Sequence, residues 1–177
     1  MVTELDWAWL AGMMNGDGCF SLTLRKIEKR WKCDMTITLT QTDPCLIERA
    51  SDILIRGIGC NPAIQEYAPA GNSVNPKFNM RVGKMEHMAK MMNHLTPYLC
   101  GAKLAKVKLM LRYIENRIQY DGHSRRINTI ENDPVSLEIA SEFYSLSGKT
   151  VPKEVVKALR DYPHVGVGAS APKCATL

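Results

Sequence analysis

Residues 7–19 read Trp-Ala-Trp-Leu-Ala-Gly-Met-Met-Asn-Gly-Asp-Gly-Cys, an apolar run that ends on one carboxylate, Asp17, between Gly16 and Gly18. Gly12 and Gly16 are four residues apart, so on a helix they share one face, where missing side chains let a second backbone approach closely. Leu5 and Trp9 extend that face, and Met13 borders it. Trp7, Leu10 and Met14 turn the other way, toward a core of the chain's own. Thr3 and Asp6 have the spacing of an N-terminal capping box, with Asp in the place where Glu or Gln is usual. Gly18 is expected to stop the helix in the left-handed conformation. The stretch therefore predicts a helix from about residue 4 to residue 17, apolar on two sides, that delivers a carboxylate to its C-terminal end.

Downstream of this helix, apolar residues alternate. Phe20, Leu22 and Leu24 interleave with Ser21, Thr23 and Arg25, and Met35, Ile37 and Leu39 interleave with Thr36, Thr38 and Thr40, the period of half-buried strands. Lys26 to Lys32 is expected as the charged tip between them. Asp43-Pro44 starts a helix, as N-cap and first helical residue, which runs to about Arg56 and stops at Gly57 or Gly59. Asn61 to Pro69 is a weaker strand, Ala70 to Pro76 a loop, and Phe78, Met80 and Val82 define a fourth strand with Lys77, Asn79 and Arg81 on its other face. Met85, Met88, Met92 and Leu95 are spaced as the core stripe of a helix that ends at Thr96-Pro97. A further helix spans Lys103 to Ile118, with Leu104, Val107, Leu111 and Ile114 on one side. Pro134 to Ser147 and Pro152 to Tyr162 read as helices, and the Gly/Ala/Ser-rich end from residue 166 as disordered.

Leu10 to Gly18, read LAGMMNGDG, resembles the LAGLIDADG motif of homing endonucleases at five identical positions of nine. Met13 and Met14 replace apolar residues with apolar ones, and Gly16 keeps the second close-contact position small. Asn15 departs from the pattern. The element order through Ile118 is also that family's αββαββα, so the resemblance implies an α+β fold with an antiparallel sheet saddle and its helices on one face. One motif occurs, which resembles the short group that works as homodimers. The expected organisation is a core domain over residues 1–118, a helical extension of the same domain over 119–165, and a tail over 166–177.

Composition narrows the function classes. The chain has 177 residues and a formal charge of +5; through Ile118 there are 16 Lys and Arg against 11 Asp and Glu, and from Gln119 onward 7 against 7. All of the basic excess lies in the first two thirds, which hold the strand region, and this favours a polyanionic partner. Cysteines at 19, 33, 45, 60, 100 and 174 form no CxxC pair and suit neither a disulfide framework nor a zinc site. With neither an apolar run of spanning length nor a signal-peptide pattern, an intracellular protein is expected, in bacterial or archaeal cytoplasm or in an organelle, not secreted and with no membrane partner.

The resemblance also implies a chemistry. It makes Asp17 a metal ligand, with the carbonyl of Gly16 beside it, and Mg²⁺ or another divalent cation the cofactor, since Mg²⁺ takes one or two carboxylates plus water and phosphate oxygens. Gln41, closing the second strand, matches a polar residue that positions active-site water. Lys103 matches the family's active-site lysine when one inserted residue is allowed, with Lys106 as the competing position. The first hairpin would offer double-stranded DNA the side chains of Ser21, Thr23, Arg25, Lys32, Thr36 and Thr38. The second would offer Lys77, Asn79 and Arg81, with Gln65 and Tyr67 on a strand whose facing is ambiguous. Leu5, Trp9, Gly12, Met13 and Gly16 would form the homodimer interface. The resulting expectation is a homodimeric, metal-dependent endonuclease of intron or intein mobility that cuts a palindromic or near-palindromic site. The alternatives are an intron maturase, with RNA as partner, and a non-cleaving DNA-binding regulator.

Overall fold

The computed structural model describes residues 1–27, 30–69, 74–120 and 133–161. Helix α1 (Glu4–Gly16) leads into strands β1 (Gly18–Ile27) and β2 (Arg30–Gln41), then α2 (Pro44–Ile58), β3 (Ala63–Tyr67), β4 (Lys77–Val82) and α3 (Met85–Leu95). A single 3-10 turn (Thr96–Tyr98) precedes α4 (Gly101–Tyr120), and α5 (Pro134–Leu146) and α6 (Lys153–Asp161) follow. The expected tail over 166–177 and Tyr162 lie outside the described residues, as do 28–29 in the strand tip, 70–73 in the loop before β4 and 121–132 in the extension.

The four strands form one antiparallel sheet in the order β1-β2-β4-β3. Its register follows from the alternation. Phe20 pairs with Ile37, Leu22 with Met35, Ile37 with Val82 and Leu39 with Met80, so the apolar residues of three strands share one face. These residues are buried beneath the helices, together with Leu10 and Met14 of α1, Ile47, Ile53 and Leu54 of α2, and Met88, Met91, Met92 and Leu95 of α3. Truncating a fully buried Leu or Met here to Ala costs about 2–5 kcal/mol. The α3 stripe differs from expectation at two positions: Met91 is buried, and Met85, at the first turn, is exposed. In α4, likewise, Met110 and Tyr113 join Val107 and Ile114 in the core, while Leu104 and Leu111 are only partly covered.

Glycines explain two corners. Gly59 has a left-handed backbone (φ 68°) and ends α2, whereas Gly57 lies inside that helix because a Cβ there would come 2.6 Å from the ring of Trp7. Gly18 does not stop α1 in the left-handed conformation, contrary to expectation. The C-cap is Asp17, in right-handed backbone (φ −105°, ψ −4°), and Gly18 already begins β1. Glycine is required there because a Cβ would lie 2.6 Å from the Met14 Cα, where the strand leaves directly beneath the last helical turn.

The capping box is formed: the Asp6 N–H donates to Thr3 Oγ1 at 3.3 Å, and the Thr3 N–H donates to Asp6 Oδ2 at 3.0 Å. The Thr3 N–H, with the Thr3 hydroxyl that donates to the same Oδ2 at 2.8 Å, holds the Asp6 carboxyl below its ordinary range. The extension packs on the core through α5. The Tyr144 hydroxyl accepts from the Leu24 N–H at 2.8 Å and so satisfies a donor on edge strand β1. Among the described residues, no helix is long and apolar enough to cross a membrane.

Candidate nucleic-acid interface and cleavage centre

Three elements converge where α1 gives way to β1. Asp17 is exposed at the helix end. Gln41 is the last residue of β2 and pairs with Phe78, so it belongs to the helix-facing row and its side chain turns toward α1. Its Nε2 donates to Asp17 Oδ2 at 2.6 Å. Lys103, in the first turn of α4, donates from Nζ to the carbonyls of Met14 at 2.6 Å, Gly16 at 2.9 Å and Gly18 at 2.7 Å. Those bonds occupy the three protons of the ammonium and place its charge at the negative end of the α1 dipole. Partial burial lowers the Lys103 pKa, opposed by Cys19 and Asp17 and reinforced by Lys106. Lys106 points elsewhere, over the ring of Phe143 at 5.7 Å.

The residue that breaks the motif has a structural task. Asn15 Nδ2 donates to the carbonyl of Tyr98 at 3.1 Å, and Asn15 Oδ1 accepts from the Cys100 N–H at 3.4 Å. An amide both gives and takes a hydrogen bond, as this site requires, whereas an ionised carboxylate only accepts. Asn15 thereby fastens the end of α1 to the turn that launches α4 and Lys103.

The register settles the facing of β3. Gln65 pairs with Asn79, and Tyr67 with Lys77, so both belong to the polar row that also carries Arg81. Thr38 pairs with Arg81, Thr40 with Asn79, Ser21 with Thr36 and Arg25 with Lys32, which joins both hairpins into one polar face opposite the helices. The face is cross-linked locally: Thr40 Oγ1 donates to Asn79 Oδ1 at 3.2 Å and Tyr67 Oη to Gln65 Oε1 at 2.9 Å. Its one acid among the described strand residues is Asp34, bound by Arg25 at 2.7 Å. Thr40 and Cys19 share this face as well; the period-two alternation of their strands was the signal for both.

On the α1 face expected to meet a partner, Leu5, Gly12 and Gly16 are exposed, while Trp9 and Met13 are partly buried against the chain's own core. Leu5 is 80% exposed, and a Cβ on Gly12 or Gly16 would meet nothing within 4 Å. Arg49 of α2 stacks over Trp9 at 4.2 Å and pairs with Asp6 at 3.7 Å, at the N-terminal end of this face.

For a metal, the donors are sparse. No group of three or more His, Cys, Asp or Glu able to hold an ion occurs among the described residues. Asp17 nonetheless fits a cation that draws its other ligands from water and phosphate oxygens, since Gln41 engages Oδ2 and leaves Oδ1 open. The Gly16 carbonyl already accepts from Lys103 and keeps one lone pair for an ion.

Solved structures share this arrangement of elements. The homing endonuclease I-CvuI in complex with its target superposes with a TM-score of 0.63 at 21% identity, over 89% of this chain and 94% of that one. The fold is that of the LAGLIDADG homing endonucleases. The group I intron-encoded I-CeuI complexed with DNA superposes with a TM-score of 0.61 at 14% identity, over 85% of this chain and 71% of that one. I-SmaMI, a LAGLIDADG homing endonuclease bound to cleaved DNA, gives a TM-score of 0.61 at 19% identity, over 91% of this chain and 49% of that one. By sequence, no family model and no curated protein matches the chain. Within this fold, α1 carries most of the Leu10–Gly18 stretch and Asp17 caps its C-terminal end.

Proposed function

We propose that the protein is a site-specific double-strand DNA endonuclease that works as a homodimer with a divalent cation, Mg²⁺ in the first instance. The observation that carries this reading is the position of Asp17: an exposed carboxylate at the end of a helix whose neighbouring face is bare at Gly12 and Gly16. A second copy packed on that face brings a second Asp17 beside the first, one for each DNA strand. Helix α1 is apolar on both sides, which fits burial between the chain's own core and a partner.

Each residue then has a role. The polar sheet face meets the major groove, with Arg25, Lys32, Lys77 and Arg81 on phosphates or base edges and the Ser, Thr, Asn, Gln and Tyr side chains between them. Asp17 holds the cation together with the Gly16 carbonyl. When bound, the cation gathers charge on the phosphoryl oxygens and lowers the pKa of attacking water. Gln41 fixes the Asp17 carboxylate and borders the water site. Lys103 holds the helix-to-strand corner in place and keeps a positive charge near the scissile phosphate. A self-paired enzyme reads a palindromic or near-palindromic target, and the resemblance to intron- and intein-borne enzymes implies short 3′ overhangs.

The test is to incubate the protein with a library of random duplexes and Mg²⁺ and to sequence the ends. Recurrent paired ends flanking one symmetric target are expected. A library left intact with Mg²⁺ and Mn²⁺ contradicts the reading.

A further inference from the structure

Through the end of α6 the described extension holds Lys149, Lys153, Lys157 and Arg160 against five acids, Asp161 at the helix end and Asp133, Glu138, Glu142 and Glu154 before it. The fold separates the two signs. Asp133 is buried as the N-cap of α5 and accepts from Asn116 Nδ2 at 2.9 Å as well as from Ser136. Glu138 and Glu142 both reach Arg112 of α4 at 3.4 Å. Glu154 pairs with Lys26 of β1 at 3.7 Å. None of these four acids pairs with Lys149, Lys153, Lys157 or Arg160. Asp133 is buried, and the carboxylates of Glu138, Glu142 and Glu154, though exposed, are drawn to cations of α4 and β1 rather than to those of α6.

Helix α6 carries three of those cations. Val155 is buried, with Ala158 and Leu159 packed against the core, while Lys153, Lys157 and Arg160 are exposed. Their i, i+4, i+7 spacing puts them on one face. With Val156 they line a recess of about 490 Å³. From Lys153 to Arg160 the helix rises about 10 Å, the length of about three successive phosphates of one B-DNA strand. The strip is fastened to the ribbon, because Glu154 holds Lys26 and the Lys26 ammonium lies over Trp31 at 5.6 Å.

We propose that α6 is a second backbone contact for duplex DNA: Lys153, Lys157 and Arg160 take phosphates of the flank beyond the stretch the ribbon covers. This rests on the DNA-cleaving reading above and extends its footprint. Continuity with the β1–β2 tip favours the duplex the ribbon itself would bind over an unrelated polyanion. The side of α6 opposite the strip is packed on the core, so no apolar face is left for a lipid surface.

The experiment compares wild type with the triple variant Lys153→Gln, Lys157→Gln, Arg160→Gln. Fluorescence anisotropy is read against salt on a long mixed-sequence DNA duplex, on a short one no longer than the ribbon, and on a long RNA hairpin. On the long duplex the log-log salt slope should flatten by about 2 to 3, so that affinity near 50 mM salt falls by an order of magnitude or more. On the short duplex the two proteins should match. The variant Lys153→Arg, Lys157→Arg, Arg160→Lys keeps the charges and should keep the wild-type slope, and equal melting temperatures establish that each variant is folded. Wild-type binding with an unchanged slope in the Gln variant overturns the α6 proposal alone. A loss confined to the RNA hairpin overturns it in favour of an RNA partner. Wild type that binds no DNA duplex overturns it together with the nuclease reading.

Discussion

Asn15 and Tyr98 are joined across 83 residues of chain, the Asn15 amide donating to the Tyr98 carbonyl at 3.1 Å while its oxygen takes the Cys100 N–H. An Asn15→Asp variant restores the acid of the family motif but removes that donor and sets a carboxylate against a carbonyl. It should lose about 1–2 kcal/mol at neutral pH. Protonation restores a donor, so the introduced acid has a folded-state pKa raised above its unfolded value of about 4. Its stabilising bond is therefore present below that pH and lost as pH rises through the folded value. Denaturant melts should show the gap to wild type narrowing in acid for Asn15→Asp and staying constant for Asn15→Ala.

Lys103 is expected to act in two ways that one variant separates. Lys103→Met keeps the aliphatic stem and leaves the carbonyls of Met14, Gly16 and Gly18 without their donor. Stability should fall by about 1–2 kcal/mol, read as a melting-temperature loss of a few degrees. Cleavage should fall much further, while DNA affinity changes little. A variant of wild-type stability would remove Lys103 from the helix corner.

The glycines divide into two sets. Gly18→Ala and Gly57→Ala place a Cβ 2.6 Å from the Met14 Cα and the Trp7 ring, so both should melt earlier. Gly12→Leu and Gly16→Leu meet nothing inside the chain. Their effect should appear in sedimentation, as loss of the dimer, and in the loss of double-strand cutting. A dimeric, active Gly16→Leu places the interface elsewhere.

Asp34 is the acid of the polar face and holds Arg25 at 2.7 Å, both side chains being about half exposed. Such an exposed pair contributes little to stability. Asp34→Asn should leave the melting temperature unchanged, free the guanidinium for phosphate, and tighten duplex binding several-fold at low salt. The gain should shrink as salt rises. Weaker binding would mean that Asp34 itself reads a base, as an acceptor from cytosine N4.

Local patterns made much of this legible. Alternation in Phe20-Leu22-Leu24 and Met35-Ile37-Leu39 gave the buried sheet face, Asp43-Pro44 the start of α2, and Thr3 with Asp6 the start of α1. Gly18 misleads because a glycine after a helix most often signals left-handed backbone; here the demand comes from Met14 packing over the strand, which only three dimensions reveal. The facing of Gln65 and Tyr67 needed the pairing with Asn79 and Lys77. Long-range bonds left no local trace: neither the three carbonyls around Lys103 nor the Asn15 tie to Tyr98 has a spacing rule. The extension misleads in another way, since its balanced charge count conceals acids committed to Arg112 and Lys26.

The carboxylate of Asp17 is the centre of the account. Asp17→Asn keeps the volume of the helix end and the possibility of a bond to Gln41, and withdraws the charge that would hold a divalent cation. On a duplex recovered from the library, gel shift and cleavage are measured with no metal, with Ca²⁺ and with Mg²⁺. The account predicts a folded dimer that binds the duplex at least as tightly as wild type without metal and makes no detectable cut with Mg²⁺. Cutting at the wild-type rate would reduce Asp17 to a helix cap and contradict the mechanism.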